Sequence, residues 1–399
     1  MCEGKSEYTL LHCTRKYGTI QHHKQAKEEF MNAFKYGCSV EGENFCARPG
    51  LSKSLANYVK SGQNLVIQGE RRIGKTSLVK ETVSSMRGWS ILYADFMGVK
   101  SVPDVCNRLA DALARFDSSD SFMRKIFAAL AHLRPVATID PMTGLPSVTV
   151  DARASSSPTS VNAVMNAVEA HVKGRRACVV FDEFQDILDV RDGEQMLALM
   201  RSRIQFMSHT AFVFLGSARN AMMDIFMSPK SPFYKSAAVF DVGTIPDDDF
   251  FEFAKSRFAT GRRRLPRALF DRILEFVGRT SGDVQEMCDA IWQTSEPGDR
   301  LGDGHFEKGL SFVFDRENSV YAMFVKPLTD IQLRVLRTLA VLGGAHPLSG
   351  AFLDEARLTN TATVRRSLTA LEKTGLVYLG PSGWRFSSPF FREWVRRRR

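Results

Sequence analysis

The sequence predicts an α/β fold: a parallel-sheet core, then a helical lid, then a C-terminal winged helix-turn-helix. Continuous apolar runs alternate with helically spaced segments up to about residue 245, the pattern of a parallel sheet covered on both faces. From 246 to 326 the strands stop and amphipathic helices follow one another. From 327 to 399 the style changes again, to three helices and a two-stranded hairpin.

In chain order, residues 1–30 are polar and show neither helical nor strand periodicity, so they read as a disordered extension, with an upstream mis-start as the alternative. Met31 opens the first structured segment, and the core spans 31–245. Its strands are expected at 64–68, 90–96, 177–181, 211–215 and 238–242, and its helices at 75–86, 102–116, 121–133, 158–172 (capped by Ser157) and 194–207. Prolines and glycines around a Ser-Val-Thr-Val run within 134–157 predict a loop with a small hairpin. Lid helices are expected at 247–260, 266–279, 284–294 and 306–324.

Bulk properties narrow the class. A hydrophobic content of 44% and a charged content of 25% are those of a globular protein. No apolar stretch reaches the roughly 18–20 residues of a membrane helix, and no basic-then-apolar secretory pattern opens the chain. Seven scattered cysteines without CxxC spacing argue for a reducing compartment, with the cytoplasm as the default address, and against structural zinc. The net charge is +10, and +8 of it lies from Lys326 onward, where 13 basic residues meet 5 acidic ones. That run, ending in Arg396–Arg399, reads either as a surface for an acidic partner or as a solvated tail.

The chemistry is concentrated at three strand ends. Gly69-Glu70-Arg71-Arg72-Ile73-Gly74-Lys75-Thr76 fits GxxxxGK[ST], between an apolar strand and a helix. Glycines let the backbone wrap phosphates with its amides, and the start of the following helix adds a positive dipole end. Lys75 is expected to reach the β- and γ-phosphates and Thr76 to ligate magnesium, the nucleotide-binding set running on to Ser77. The buried strand Ala177–Phe181 ends in Asp182 and Glu183, at the edge where open α/β sheets bind ligands. Asp182 suits the magnesium, directly or through water, and Glu183 suits the orientation and deprotonation of an attacking water. The strand Ala211–Leu215 ends in Gly216-Ser217, which makes Ser217 the candidate γ-phosphate sensor, with Arg219 and Asn220 as substitutes. ATP and magnesium are therefore the expected ligands.

With these motifs the chain resembles the archaeal-type ATPase family, within the wider AAA+/STAND group of P-loop NTPases, over roughly residues 31–395. The Arg71-Arg72 pair and the Asp-Glu-Phe-Gln run at Asp182–Gln185 are features of that family, as is the N-terminal box at Phe34-Lys35-Tyr36-Gly37 and Phe45-Cys46-Ala47-Arg48. The resemblance implies that Arg48 borders the adenine pocket. The box departs from the family pattern at Ala47 and Pro49. Where the family carries Pro-Leu-Tyr-Gly-Arg this chain has Pro232-Phe233-Tyr234-Lys235-Ser236, without the final arginine, a candidate trans-acting finger. After Gly282-Asp283 comes Val284-Gln285, without the lid arginine of related ATPases. A supplied arginine can be worth roughly 10³–10⁵ in phosphoryl-transfer rate, so slow turnover is the expectation.

Three readings compete. One is a slow, magnesium-dependent ATPase acting as a regulatory switch, with a protein partner or self-association. Another is an ATP-liganded regulator that binds double-stranded DNA through its winged helix. A third is a degenerate ATPase serving as a scaffold, which the intact Lys75, Thr76, Asp182 and Glu183 disfavour. In the winged helix, 329–341, 346–355 and 361–373 are the expected helices. Ile331, Val335, Leu336 and Leu339 form the inward face of the first, and Val364, Leu368 and Leu371 that of the third. A hairpin pairs 376–379 with 384–386 around a Pro-Ser-Gly turn. Arg365 and Arg366 on the third helix and Arg385 in the wing are the candidate DNA contacts.

Overall fold

The computed structural model describes residues 33–117, 119–139, 144, 146–217, 219–380 and 382–398. The expected extension at 1–30 and Pro381 of the wing turn lie outside the described residues. The chain falls into two compact units. One comprises Tyr36–Phe250 with Leu274–Val284; the other comprises Phe251–Ile273, Gln285–Arg399 and the described residues up to Lys35.

The first unit is built on a five-stranded, all-parallel sheet of β1 (Leu65–Gln68), β2 (Ser90–Asp95), β5 (Ala177–Asp182), β6 (Ala211–Leu215) and β7 (Ala238–Asp241). The order is β2-β5-β6-β1-β7, so β6 lies between the strand that precedes the phosphate loop and the strand that ends in Asp182. Strand alternation divides the core in two. Val179, Phe181, Phe212 and Phe214 join one buried cluster, while Cys178, Val180, Val213 and Leu215 join the cluster on the opposite face. The expected small hairpin is present as β3 (Val136–Ile139) against β4 (Pro146–Thr149).

Three helices were not expected from the sequence. Pro49–Lys60 starts with a proline in its first turn, where the missing N–H costs nothing, and buries Leu55 and Val59. Arg219–Met227 follows β6, burying Met222, Ile225 and Phe226. Pro389–Arg397 replaces the supposed basic tail and buries Phe390, Phe391, Trp394 and Val395. The helix expected from 158 begins at Ser160; Ser157 sits a turn earlier, its hydroxyl against Thr159 Oγ1 at 2.8 Å. The helix expected at 121–133 stops at Ala129 and continues as a single 3₁₀ turn, Ala131–Leu133.

In the second unit, Asp330–Leu342 opens with a capping box between Thr329 and Gln332. It buries Val335, Leu336 and Leu339, but Ile331, in its first turn, is 38% exposed and does not join the inward face. The middle helix is short, Gly350–Ala356, because the Ser349 hydroxyl accepts the Phe352 N–H and sets its start there. Thr361–Lys373 buries Val364, Leu368 and Leu371 as expected. The wing pairs β8 (Val377–Gly380) with β9 (Gly383–Phe386), and Gly344 adds a bridge to Trp384. Among the described residues no helix is long and apolar enough to cross a membrane.

Candidate functional site

The site lies at the C-terminal ends of β1, β5 and β6, inside the first unit. After β1 the chain makes the tight loop Gly69–Gly74 and enters the helix Lys75–Ser84. Gly69 lacks a Cβ where one would stand 2.8 Å from the Val242 carbonyl oxygen, and Gly74 takes a left-handed φ of 89°. Lys75 is buried and donates to the Gly69 and Glu70 carbonyls, both at 3.0 Å, which folds the loop over its own ammonium. Burial pushes the Lys75 pKa below the ordinary lysine value, while Glu183 and Asp182 pull it back up. Ser77 points elsewhere: its hydroxyl accepts the Val40 N–H at 2.9 Å.

Asp182 joins the loop to β5. Its Oδ2 accepts the Thr76 hydroxyl at 2.7 Å and the Tyr93 hydroxyl, also at 2.7 Å, while Oδ1 accepts the Glu183 N–H at 3.0 Å. Tyr93 has no motif to announce it. It is an ordinary β-strand tyrosine whose importance comes from β2 pairing with β5, and Lys80 stacks on its ring at 4.1 Å. Burial, then the Asp182 carboxylate, pushes the Tyr93 pKa up, so the phenol stays protonated and donates. Asp95 lies directly across the sheet from Asp182; burial raises its pKa, as do Asp182 and Glu183, against the Met97 N–H that lowers it.

Glu183 sits in the left-handed backbone region, φ 45°. The next residue explains how such a turn is held. Phe184 is fully buried among Phe181, Phe214, Phe226 and Phe233, with ring centroids 4.8 to 6.1 Å away. That anchor turns the Glu183 carboxylate toward the end of β6, where its Oε2 accepts the Ser217 hydroxyl at 2.7 Å and the Ser217 N–H at 3.2 Å. A third donor, Gln185 Nε2, reaches the same oxygen at 2.7 Å. Thr76, Asp182, Glu183 and Ser217, three separate strand ends in the sequence, are thus joined by direct hydrogen bonds. The side chains of Arg219 and Asn220 lie outside the described residues.

Arg48 does not stand free at a pocket edge. It is buried, with Nη2 donating to the Ile73 carbonyl at 2.6 Å and Nη1 to the Gly243 carbonyl at 3.0 Å, so it braces the phosphate loop from behind. Of the loop arginines, Arg71 is exposed and Arg72 is half-buried, paired with Asp283. Ser236 stands where the family carries the final arginine, and the neighbouring Lys235 is exposed beside the Tyr234 ring.

The donor set suits a nucleotide with magnesium. One carboxylate and one hydroxyl already in contact offer hard oxygen ligands, and magnesium commonly takes its remaining ligands from water and phosphate. Among the described residues no group of three or more His, Cys, Asp or Glu side chains could hold a metal unaided.

Residues 59–221 match the family described as "AAA domain", and residues 319–397 match the family described as "Probable winged helix domain". A Walker-type ATPase of Pyrococcus abyssi superposes with a TM-score of 0.58 at 16% identity, covering 91% of this chain and 99% of its own. An ORC2 protein of Aeropyrum pernix, solved in ADPNP–ADP complexes, gives 0.53 at 15% identity, covering 92% and 96%. The ORC1 protein of the same organism, solved in complex with DNA, gives 0.52 at 12%, covering 90% and 94%. Among curated proteins none matches. Residues 59–221 thus carry an AAA domain and residues 319–397 a winged helix domain, and the solved Walker-type and ORC proteins share the fold.

Proposed function

We propose that the protein binds ATP with magnesium and hydrolyses it slowly, as a nucleotide-controlled switch acting in the cytoplasm. The observation that carries this reading is the joined set Thr76–Asp182–Glu183–Ser217 beside the buried Lys75. Thr76 and Asp182 hold the metal, which when bound neutralises charge on the phosphates. Lys75 and the loop amides bind the phosphates. Glu183 orients and deprotonates the water, and Ser217, already hydrogen-bonded to it, relates its position to the γ-phosphate. Slow turnover follows from the missing finger arginine: Ser236 stands in its place, and the neighbouring exposed Lys235 lacks the planar fork of an arginine.

The second reading, double-stranded DNA as partner, has its own support. Arg365 and Arg366 on the third winged-helix helix and Arg385 in the wing are all exposed. The terminal arginines add less than the charge count suggested. Arg396 and Arg397 bond to the buried Glu393 at 2.7 to 2.8 Å, and Arg398 bonds to Asn318 at 2.8 Å and stacks on Trp394. Steady-state phosphate release with and without double-stranded DNA, beside Lys75→Ala, tests both readings. A Lys75-dependent rate raised by DNA supports a DNA-coupled ATPase. A low Lys75-dependent rate indifferent to DNA supports a switch that answers to a protein partner. A rate unchanged in Lys75→Ala removes the claim to hydrolysis.

A further inference from the structure

The outer side of the phosphate loop is held by residues distant in sequence. The Arg72 carbonyl accepts the Gly282 N–H at 2.9 Å and the Ser281 hydroxyl at 3.1 Å, and the Ile73 carbonyl accepts Arg48 Nη2 at 2.6 Å. The Arg72 guanidinium forms an ion pair with the carboxylate of Asp283, which is buried. The approach is close: a Cβ on Gly282 would stand 3.1 Å from Arg72 Cβ and 3.2 Å from the Arg72 carbonyl oxygen. Ser281–Asp283 open the helix Ser281–Gln293, and they belong to the same compact unit as the loop.

The direction of these bonds matters for anion binding. No peptide among the described residues is cis, and in a trans peptide the C=O and the following N–H point in opposite directions. Fixing the Arg72 and Ile73 carbonyls outward therefore turns the Ile73 and Gly74 N–H groups to the other side. Successive N–H groups turned to one side make an anion nest.

We propose that Arg48, Ser281, Gly282 and Asp283 are positioning residues that hold the phosphate loop with its amides turned toward the nucleotide phosphates. Nucleotide affinity is then set by the Arg72–Asp283 pair. The polarity is the reverse of a lid arginine reaching toward the nucleotide: the arginine stands on the loop and the carboxylate at the start of the helix. The inference rests on the ATP-binding reading and specifies what controls that site.

The test is equilibrium binding of Mg·ADP to the full chain by calorimetry, with adenosine binding followed in parallel by saturation-transfer NMR. Asp283→Asn and Ser281→Ala are the variants, and a cycle with Arg72→Ala and Asp283→Ala measures coupling. Ser281→Ala removes one hydroxyl and keeps the experiment decisive should Asp283→Asn fold poorly. Asp283→Asn is expected to weaken ADP about tenfold, within the usual range of couplings between sites, and to leave adenosine unchanged. The double variant is expected to bind no more weakly than the weaker single variant. ADP affinity within about twofold of wild type in both single variants, or equal losses for ADP and adenosine, would overturn the inference. Wild-type protein that binds no ADP would overturn the nucleotide reading itself, which is a different result from insensitive variants.

Discussion

Glu183→Gln separates binding from chemistry more cleanly than any other single change. The Glu183 carboxylate is held at one oxygen by three donors: the Ser217 hydroxyl at 2.7 Å, the Ser217 N–H at 3.2 Å and Gln185 Nε2 at 2.7 Å. A glutamine carbonyl in the same place accepts the same three bonds, and Phe184 keeps the turn anchored. The lost property is proton acceptance by the group facing the water. A general base contributes about 10²–10⁴ in rate, which corresponds to about 3–5.5 kcal/mol of barrier. Because Glu183 touches neither the loop carbonyls nor Lys75 by a hydrogen bond in the structure, the Kd for ATP should stay within about threefold. Single-turnover phosphate release, nucleotide calorimetry and thermal melting give the three numbers required. A rate loss smaller than about threefold, or a Kd that rises in step with the rate loss, would refute the assignment of Glu183 as base.

Two further predictions concern the fold around that site. Phe184→Ala empties the centre of the phenylalanine cluster and should cost about 3–5 kcal/mol in denaturant unfolding; an unchanged midpoint would show that this ring does not hold the Glu183 turn. Burial pushes the Cys46 thiol up to about 11 and the Cys106 and Cys178 thiols to about 12, so all three stay protonated at pH 8, whereas Cys38 is exposed. Among the described cysteines, iodoacetamide at pH 8 should label Cys38 first and reach Cys106 and Cys178 only after denaturation, with Cys46 gaining reactivity before them as pH rises toward 11. Peptide mass spectrometry showing native-state labelling of Cys178 at the rate of Cys38 would contradict the packing of β5.

The parts of the molecule legible in the sequence are those written in short, contiguous patterns. The helices Val102–Phe116 and Thr361–Lys373 have the expected bounds because apolar spacing and end residues agree there. The linear motifs at Gly69–Thr76 and Asp182-Glu183 stand at the ends of β1 and β5, the positions expected of them. Misreadings came where one strong feature masked another. Leu55 and Val59, four residues apart, are the buried face of the helix Pro49–Lys60, a signal too short to stand out beside the Phe45–Arg48 box. Four terminal arginines suggested a tail, although Phe390, Phe391, Trp394 and Val395 mark a buried helical face. What no local pattern could supply is pairing across the fold. Tyr93 reaches Asp182 over 89 residues and Ser281 reaches Arg72 over 209, and only the sheet order and the chain's return bring them together. The resemblance places Arg48 at the adenine pocket, and its bonds to the Ile73 and Gly243 carbonyls are contacts that spacing alone does not reveal.

The central claim is that this loop binds a nucleotide. Calorimetric titration of the wild-type chain and Lys75→Ala with ATP and magnesium tests it most directly. Lys75 is buried and bonded only to loop carbonyls among the described contacts, so its removal should leave a cooperative melting transition while abolishing measurable ATP binding. Equal affinity in the two proteins, or no binding to the wild type, would contradict the account.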